Sequence, residues 1–172
     1  MKKNLLVSLL FTIGLHSFSQ PAVKIFAFEQ ENLPGTQPAG VKDENGNTVK
    51  KAAAKKNYFI FLSLKKSTNV TPVQLFIEGV AYSIRWAVVS RTPVEYTSKN
   101  IPNRPVKTTL VPKTRNKVIQ ITPTEISGSE NHDAGIQKLA RENDVVVVYK
   151  WNKKRYAVAL NKIRQLEPVA NE

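Results

Sequence analysis

Histidine and cysteine set the first bound on chemistry: the chain has two histidines, His16 and His132, and no cysteine. Without a thiol there is no cysteine nucleophile, no Cys-based zinc site and no redox pair. A serine triad would have to recruit His132, with Ser127 or Ser129 as nucleophile and Glu130 or Asp133 as orienting acid. Neither serine stands in the G-x-S-x-G elbow that lifts a hydroxyl out of a tight strand–helix turn. Glu125, Glu130, His132 and Asp133 make a poor metal set, because zinc sites normally bring more than one His or Cys. Asp43, Asn45 and Asn47 alternate like the start of a calcium loop, yet glycine comes fourth (Gly46) rather than sixth, and the twelfth place is Ala54 instead of glutamate. The seven glycines are scattered singly, so no phosphate-cradling loop exists. The 13 acids show no spacing that marks a glycosidase pair. Catalysis is therefore not expected, nor any cofactor or metal, and a hydrolase built on an unmarked carboxylate pair is the third-ranked reading.

Binding chemistry has better candidates. One basic tract, 99–117, holds Lys99, Arg104, Lys107, Lys113, Arg115 and Lys117 with no acid among them. A second, 150–164, holds Lys150, Lys153, Lys154, Arg155, Lys162 and Arg164, again without an acid. Around it Tyr149, Trp151 and Tyr156 interleave with the cations, and aromatic faces beside ammonium and guanidinium groups suit sugars, stacked bases and phosphates. The expected ligand-binding residues are Tyr149, Trp151, Lys153, Lys154, Arg155 and Tyr156, joined by Arg104, Lys107, Lys113, Arg115 and Lys117. Against this, tyrosine and tryptophan at period two in a hairpin commonly serve as core or cross-strand partners.

The elements that must carry these residues read as strands. Val23, Ile25, Phe26 and Phe28 give a first strand over 21–28, followed by a loop-rich stretch, 29–57, punctuated by Pro34-Gly35, Pro38, Gly40 and Asn45-Gly46. Tyr58 to Leu64 is apolar on both faces, as a central strand covered on both sides must be. Val73 to Ile77 and Tyr82 to Val88 form a hairpin about Glu78-Gly79. Val94 to Tyr96 is a short edge strand, and the prolines at 102, 105 and 112 make 97–113 a loop. Val118 to Thr122 is another strand. Asn131 or Asp133 caps a short helix through Ile136, Leu139 and Ala140, closed near Asn143. Val145 to Trp151 and Arg155 to Ile163 flank Asn152-Lys153-Lys154 as a hairpin with a basic tip, and Leu166-Glu167-Pro168 ends the ordered chain. About seven strands, one short helix and no βαβ alternation predict a mainly β domain, an antiparallel sandwich or barrel.

Met1-Lys2-Lys3, the apolar run Leu5 to Leu15 and small residues two apart at Ser17 and Ser19 predict a signal peptide over 1–19. That run is about half of a membrane span. Cleavage takes two of the 26 basic residues and none of the 13 acids, so the net charge falls from +13 to +11. Residues 20–172 then form one β-rich domain, long enough to build a core without disulfides. The Ser-Phe-Ser-Gln junction, with segments 77–89, 110–114 and 145–168, resembles small uncharacterised exported envelope proteins of Bacteroidetes. That resemblance implies a periplasmic or extracellular location and carries no active site.

Two functions are expected ahead of the hydrolase. The first is a binding module for an anionic ligand, whether envelope glycolipid, acidic glycan or nucleic acid. The second is an accessory or structural subunit of an envelope assembly, docking a protein partner through an exposed apolar patch.

Overall fold

A computed structural model describes residues 21–33, 55–98, 106–127 and 133–170. Residues 1–19, expected to be a signal peptide, the Asn-Gly turn, positions 50–54 of the Lys/Ala run, Lys99, Arg104 and His132 lie outside the described residues, whereas Lys55 and Lys56, expected in the loop, open the second strand. No described helix is long and apolar enough to cross a membrane.

Eleven strands and one helix make up the described chain: β1 (Val23–Leu33), β2 (Lys55–Leu64), β3 (Thr71–Ile77), β4 (Val80–Val88), β5 (Val94–Ser98), β6 (Val106–Val111), β7 (Lys117–Ile126), α1 (Ala134–Glu142), β8 (Val145–Trp151), β9 (Lys154–Leu160), β10 (Arg164–Gln165) and β11 (Val169–Ala170). Nine strands form one curled sheet in the order β10-β1-β2-β7-β4-β3-β8-β9, with β11 also on β1, while β5 and β6 form a separate small sheet. The expected mainly β, barrel-like class holds. Most pairs are antiparallel, but β1 runs parallel to both β10 and β11, which makes the sheet mixed.

Alternation fills the two faces. On the concave face Ile25, Ile60, Leu62, Leu75, Ile77, Ile119, Ile121, Val145, Val147 and Tyr149 make the main core. The opposite residues of β1, β2 and β7 (Phe28, Phe61 and Val118) meet Leu110 and Val111 of β6 in a second cluster. Those of β3 and β8 (Phe76, Val146 and Val148) meet Ala140 of α1 in a third. β2 is thus central and covered on both sides, as its apolar double pattern requires. The outer face of β4 is covered only at Ala81, which packs on the third cluster, and Ser83 and Arg85 are exposed there.

Several expectations are corrected. The first strand runs on to Leu33 because Glu29 and Gln30 are buried with partners rather than looped out: Glu29 meets Lys56 and Gln165, and Gln30 donates to the Tyr96 hydroxyl at 2.6 Å. The stretch 97–113 contains β6, whose prolines (105 and 112) bracket the strand instead of interrupting it. Proline does fall inside β7, opposite Ile84 where the register shifts, a place where a missing N–H does little harm. The chain also stays ordered past Pro168 into β11. Asp133 caps α1 as expected, its carboxylate accepting from the Gly135 N–H at 2.8 Å, and Asn143 closes it.

Candidate anion-binding end of the curled sheet

The ladders fix which turns lie together. Antiparallel pairing puts the starts of β1, β3, β7 and β9 beside the ends of β2, β4 and β8. This end gathers cations from five places. Lys24 stands at the start of β1, Lys65 and Lys66 in the turn after β2, and Arg91 in the link from β4 to β5. Lys113, Arg115 and Lys117 come from the link between β6 and β7. Lys150, Lys153, Lys154 and Arg155 come from the β8–β9 hairpin. All of these are exposed except Lys117, which is half-buried. No Asp or Glu occurs in the turns and links themselves, and the acid next to them in sequence is exposed Glu95, the second residue of β5. Carboxylates are found at the opposite end, interleaved with Lys55, Lys56, Lys162 and Arg164: Glu29 and Glu31 lie on the second half of β1, Glu78 in the β3–β4 turn, Glu125 near the end of β7 and Asp144 before β8.

The hairpin tip is a two-residue turn. Trp151 pairs with Lys154, and Asn152 and Lys153 between them have φ of 47° and 65°. Positive φ at both central residues is the type I′ turn that matches strand twist. Lys154, expected in the loop, opens β9.

The aromatic ligand residues divide. Tyr149 is fully buried in the concave core and so is not available at the surface; its period-two company (Val145 and Val147) is the core face. Its ring stacks on Tyr156 at 5.9 Å, and Tyr156 meets Trp151 at 5.7 Å with the planes tilted by 57°. Trp151 and Tyr156 remain half-buried because the core thins toward the tip. Lys107 lies elsewhere: it pairs with Thr97 near the Ser98–Val106 end of the small sheet, away from the Val94–Val111 end that adjoins the basic links.

A cavity of about 420 Å³ opens among three of the basic connections, lined by Lys66, Arg91, Arg115 and Lys117 with Val88, Val89, Ser90, Thr92, Thr114 and Asn116. Sequence reading passed over Lys66 and Arg91. Lys65-Lys66 reads as a polar turn and Arg91 stands outside both basic tracts, and only strand order brings them beside Arg115. Trp86 and Val88, on the apolar period-two face of the hairpin's second strand, are 43% and 53% exposed.

The carboxylates offer a weaker case for chemistry. Glu29 and Asp144 line one cavity of about 590 Å³ with Lys162, Arg164 and Gln165. Glu29 is committed to Lys56 at 3.0 Å and Gln165 at 3.3 Å, and Asp144 accepts from the Ile163 N–H at 3.0 Å. Lys56 also reaches Glu78 at 3.2 Å. Its bond to Glu29 foremost, opposed next by burial and then reinforced by the bond to Glu78, holds the ammonium well above the ordinary lysine range. Burial pushes the Tyr58 hydroxyl up as well, with Lys56 opposing. These bonds tie β1, β2 and β10 together. Among the described residues no three His, Asp or Glu side chains cluster as metal ligands.

No family model matches this chain, and no curated protein or solved structure matches it, so the geometry of this end carries the functional argument.

Proposed function

We propose that the protein is an exported, non-catalytic binding module for an anionic envelope or extracellular ligand, bound at the basic end of the curled sheet. The observation that carries this reading is convergence: cations from the β2–β3, β4–β5, β6–β7 and β8–β9 connections share one end, and none of these four connections contains a carboxylate. Summed over such a surface, like charges raise the local concentration of an anionic partner and steer its approach. Export follows the sequence of residues 1–19. Binding to heparin and to vesicles containing a phosphorylated glycolipid should weaken steeply as salt rises, since exposed charges are screened within about 8 Å at physiological ionic strength. Retention no greater than that of an equally basic control protein would defeat the reading.

A second reading, the accessory subunit, draws on one observation. Val80 and Ile126, 39% and 71% exposed, line a cavity of about 300 Å³ beside α1 at the opposite end. Ile126→Asp should abolish co-purification with an envelope partner and leave heparin retention intact.

A further inference from the structure

The cavity among the β2–β3, β4–β5 and β6–β7 connections has features that a general basic surface lacks. It is concave, its walls are cross-braced, and exposed Val88 lines it beside the cations. Bracing comes from a reciprocal pair: the Thr92 hydroxyl donates to the Thr114 carbonyl and accepts from the Thr114 N–H, both at 3.1 Å. The Asn116 N–H donates to the Thr114 hydroxyl at 3.1 Å, and its side-chain amide reaches the Ser63 hydroxyl at 3.2 Å. Backbone bonds continue the frame, from Val89 N–H to the Val118 carbonyl at 2.9 Å and from Thr68 N–H to the Lys65 carbonyl at 2.9 Å. Lys117 is drawn toward Asn69 at 3.5 Å. Cationic side chains therefore project from a frame that need not be ordered on binding, which lowers the cost of association.

Two arginines and two lysines with no carboxylate in the lining suit a tetrahedral oxyanion, which guanidinium forks grip in two places and ammonium groups neutralise. Val88 forms one wall, and Trp86 lies two residues along the same strand face, about 7 Å away. Their ladder partners Ile119 and Ile121 are buried, which holds in place the strand that carries the exposed indole. An exposed indole next to an anion pocket fits a ring with an apolar face and an attached charged ester. A strand of nucleic acid instead calls for a groove with successive stacking platforms, whereas this cavity holds one terminal group.

We infer that this cavity is a subsite for a phosphate or sulfate ester carried on a sugar ring, the oxyanion held by Arg91, Arg115, Lys66 and Lys117 and the ring set against Val88 and Trp86. This rests on the anion-binding reading and narrows it. The hairpin tip then supplies attraction, and the cavity supplies selection.

The test is calorimetry and amide-shift mapping on the full protein with glucose 6-phosphate, glucose 6-sulfate, glucose and inorganic phosphate, beside heparin retention. Both sugar esters should bind at least tenfold tighter than glucose and tighter than inorganic phosphate, moving the Thr114 and Asn116 amide signals. Arg91→Gln with Arg115→Gln should cost the esters at least tenfold, and Trp86→Ala several-fold. Replacing Lys153, Lys154 and Arg155 with glutamine should leave ester affinity within twofold while reducing heparin retention. Melting curves and unshifted core amides verify that each variant is folded. Heparin retention with no ester binding, or ester binding that survives the double arginine substitution, overturns the subsite while the broader reading stands. Loss of both heparin and ester binding in the wild type removes the broader reading. An oligonucleotide that binds more tightly than either ester, and is released by the arginine variants, overturns the sugar assignment. Preference between the two esters identifies the oxyanion.

Discussion

Lys153 is a residue with two opposed demands on it. At φ 65° it occupies the left-handed region, where a side chain clashes with its own backbone and glycine does not. Lys153→Gly should raise stability by about 1 kcal/mol or less in a thermal melt, the relieved left-handed penalty being partly offset by glycine's greater chain entropy, while the loss of one tip charge lowers heparin retention. A gain in stability with unchanged retention would take the tip out of the site. Lys56 makes the complementary case. Its ammonium spans Glu29 and Glu78, and Lys56→Met leaves the buried Glu29 with Gln165. A loss of about 1–2 kcal/mol is expected, reduced from the full value of a charged hydrogen bond because the lysine is partly solvated. The pH consequence has a definite sign. Lys56 and Tyr58 both hold their protons more tightly folded than unfolded. Their contributions are fully present below the ordinary values of 10.5 and 10.0 and are lost as pH rises through the higher folded values. Melting temperature should be flat with respect to these groups from pH 7 to about 9 and fall above about 10. Lys56→Met should shrink that alkaline fall, and an unchanged profile would show that another group causes it.

At the scale of elements, β6 shows what pattern alone misses. Val106 to Val111 was hidden among prolines, yet Leu110 and Val111 are buried against Phe28, Phe61 and Val118. Leu110→Ala should therefore cost about 2–5 kcal/mol, as a cavity in a core does, and not the few tenths of a loop position. Asp133→Ala should cost about 1 kcal/mol by uncapping α1. Where an element's own residues decided its state, it could be read in advance. The double apolar face of β2, the Glu78-Gly79 turn, the helix cap at Asp133 and the β8–β9 hairpin were all of this kind. Where a distant partner decided it, local pattern failed. Glu29 and Gln30 look like loop residues until Lys56, Tyr96 and Gln165 arrive from elsewhere in the chain, and β10 and β11 are strands because β1 offers an edge. The candidate site divides along the same line. Arg115, Lys117 and the tip cations were visible as charge runs. Lys66 and Arg91 were not, because their place beside Arg115 depends on β7 being inserted between β2 and β4. Tyr149 misled for the opposite reason, since period two on a hairpin marks a core face as readily as a binding face.

For the whole molecule, the separation of a cationic end from one where acids and bases are mixed acts at a distance. Raising ionic strength should slow association with an anionic vesicle more than it speeds dissociation, because long-range steering is what salt removes first. Stopped-flow rates at two salt concentrations check this, and a change confined to dissociation would point to short-range contacts alone. The same separation exerts a torque. Near a negatively charged surface the protein turns before it touches, presenting the cavity and hairpin tip and holding α1 and the groove of Val80 and Ile126 outward. A fluorophore at the β3–β4 turn should accordingly stay farther from a labelled bilayer than one at Asn152. Landing is then orientated, and each molecule that arrives leaves the same face uppermost for whatever meets it next.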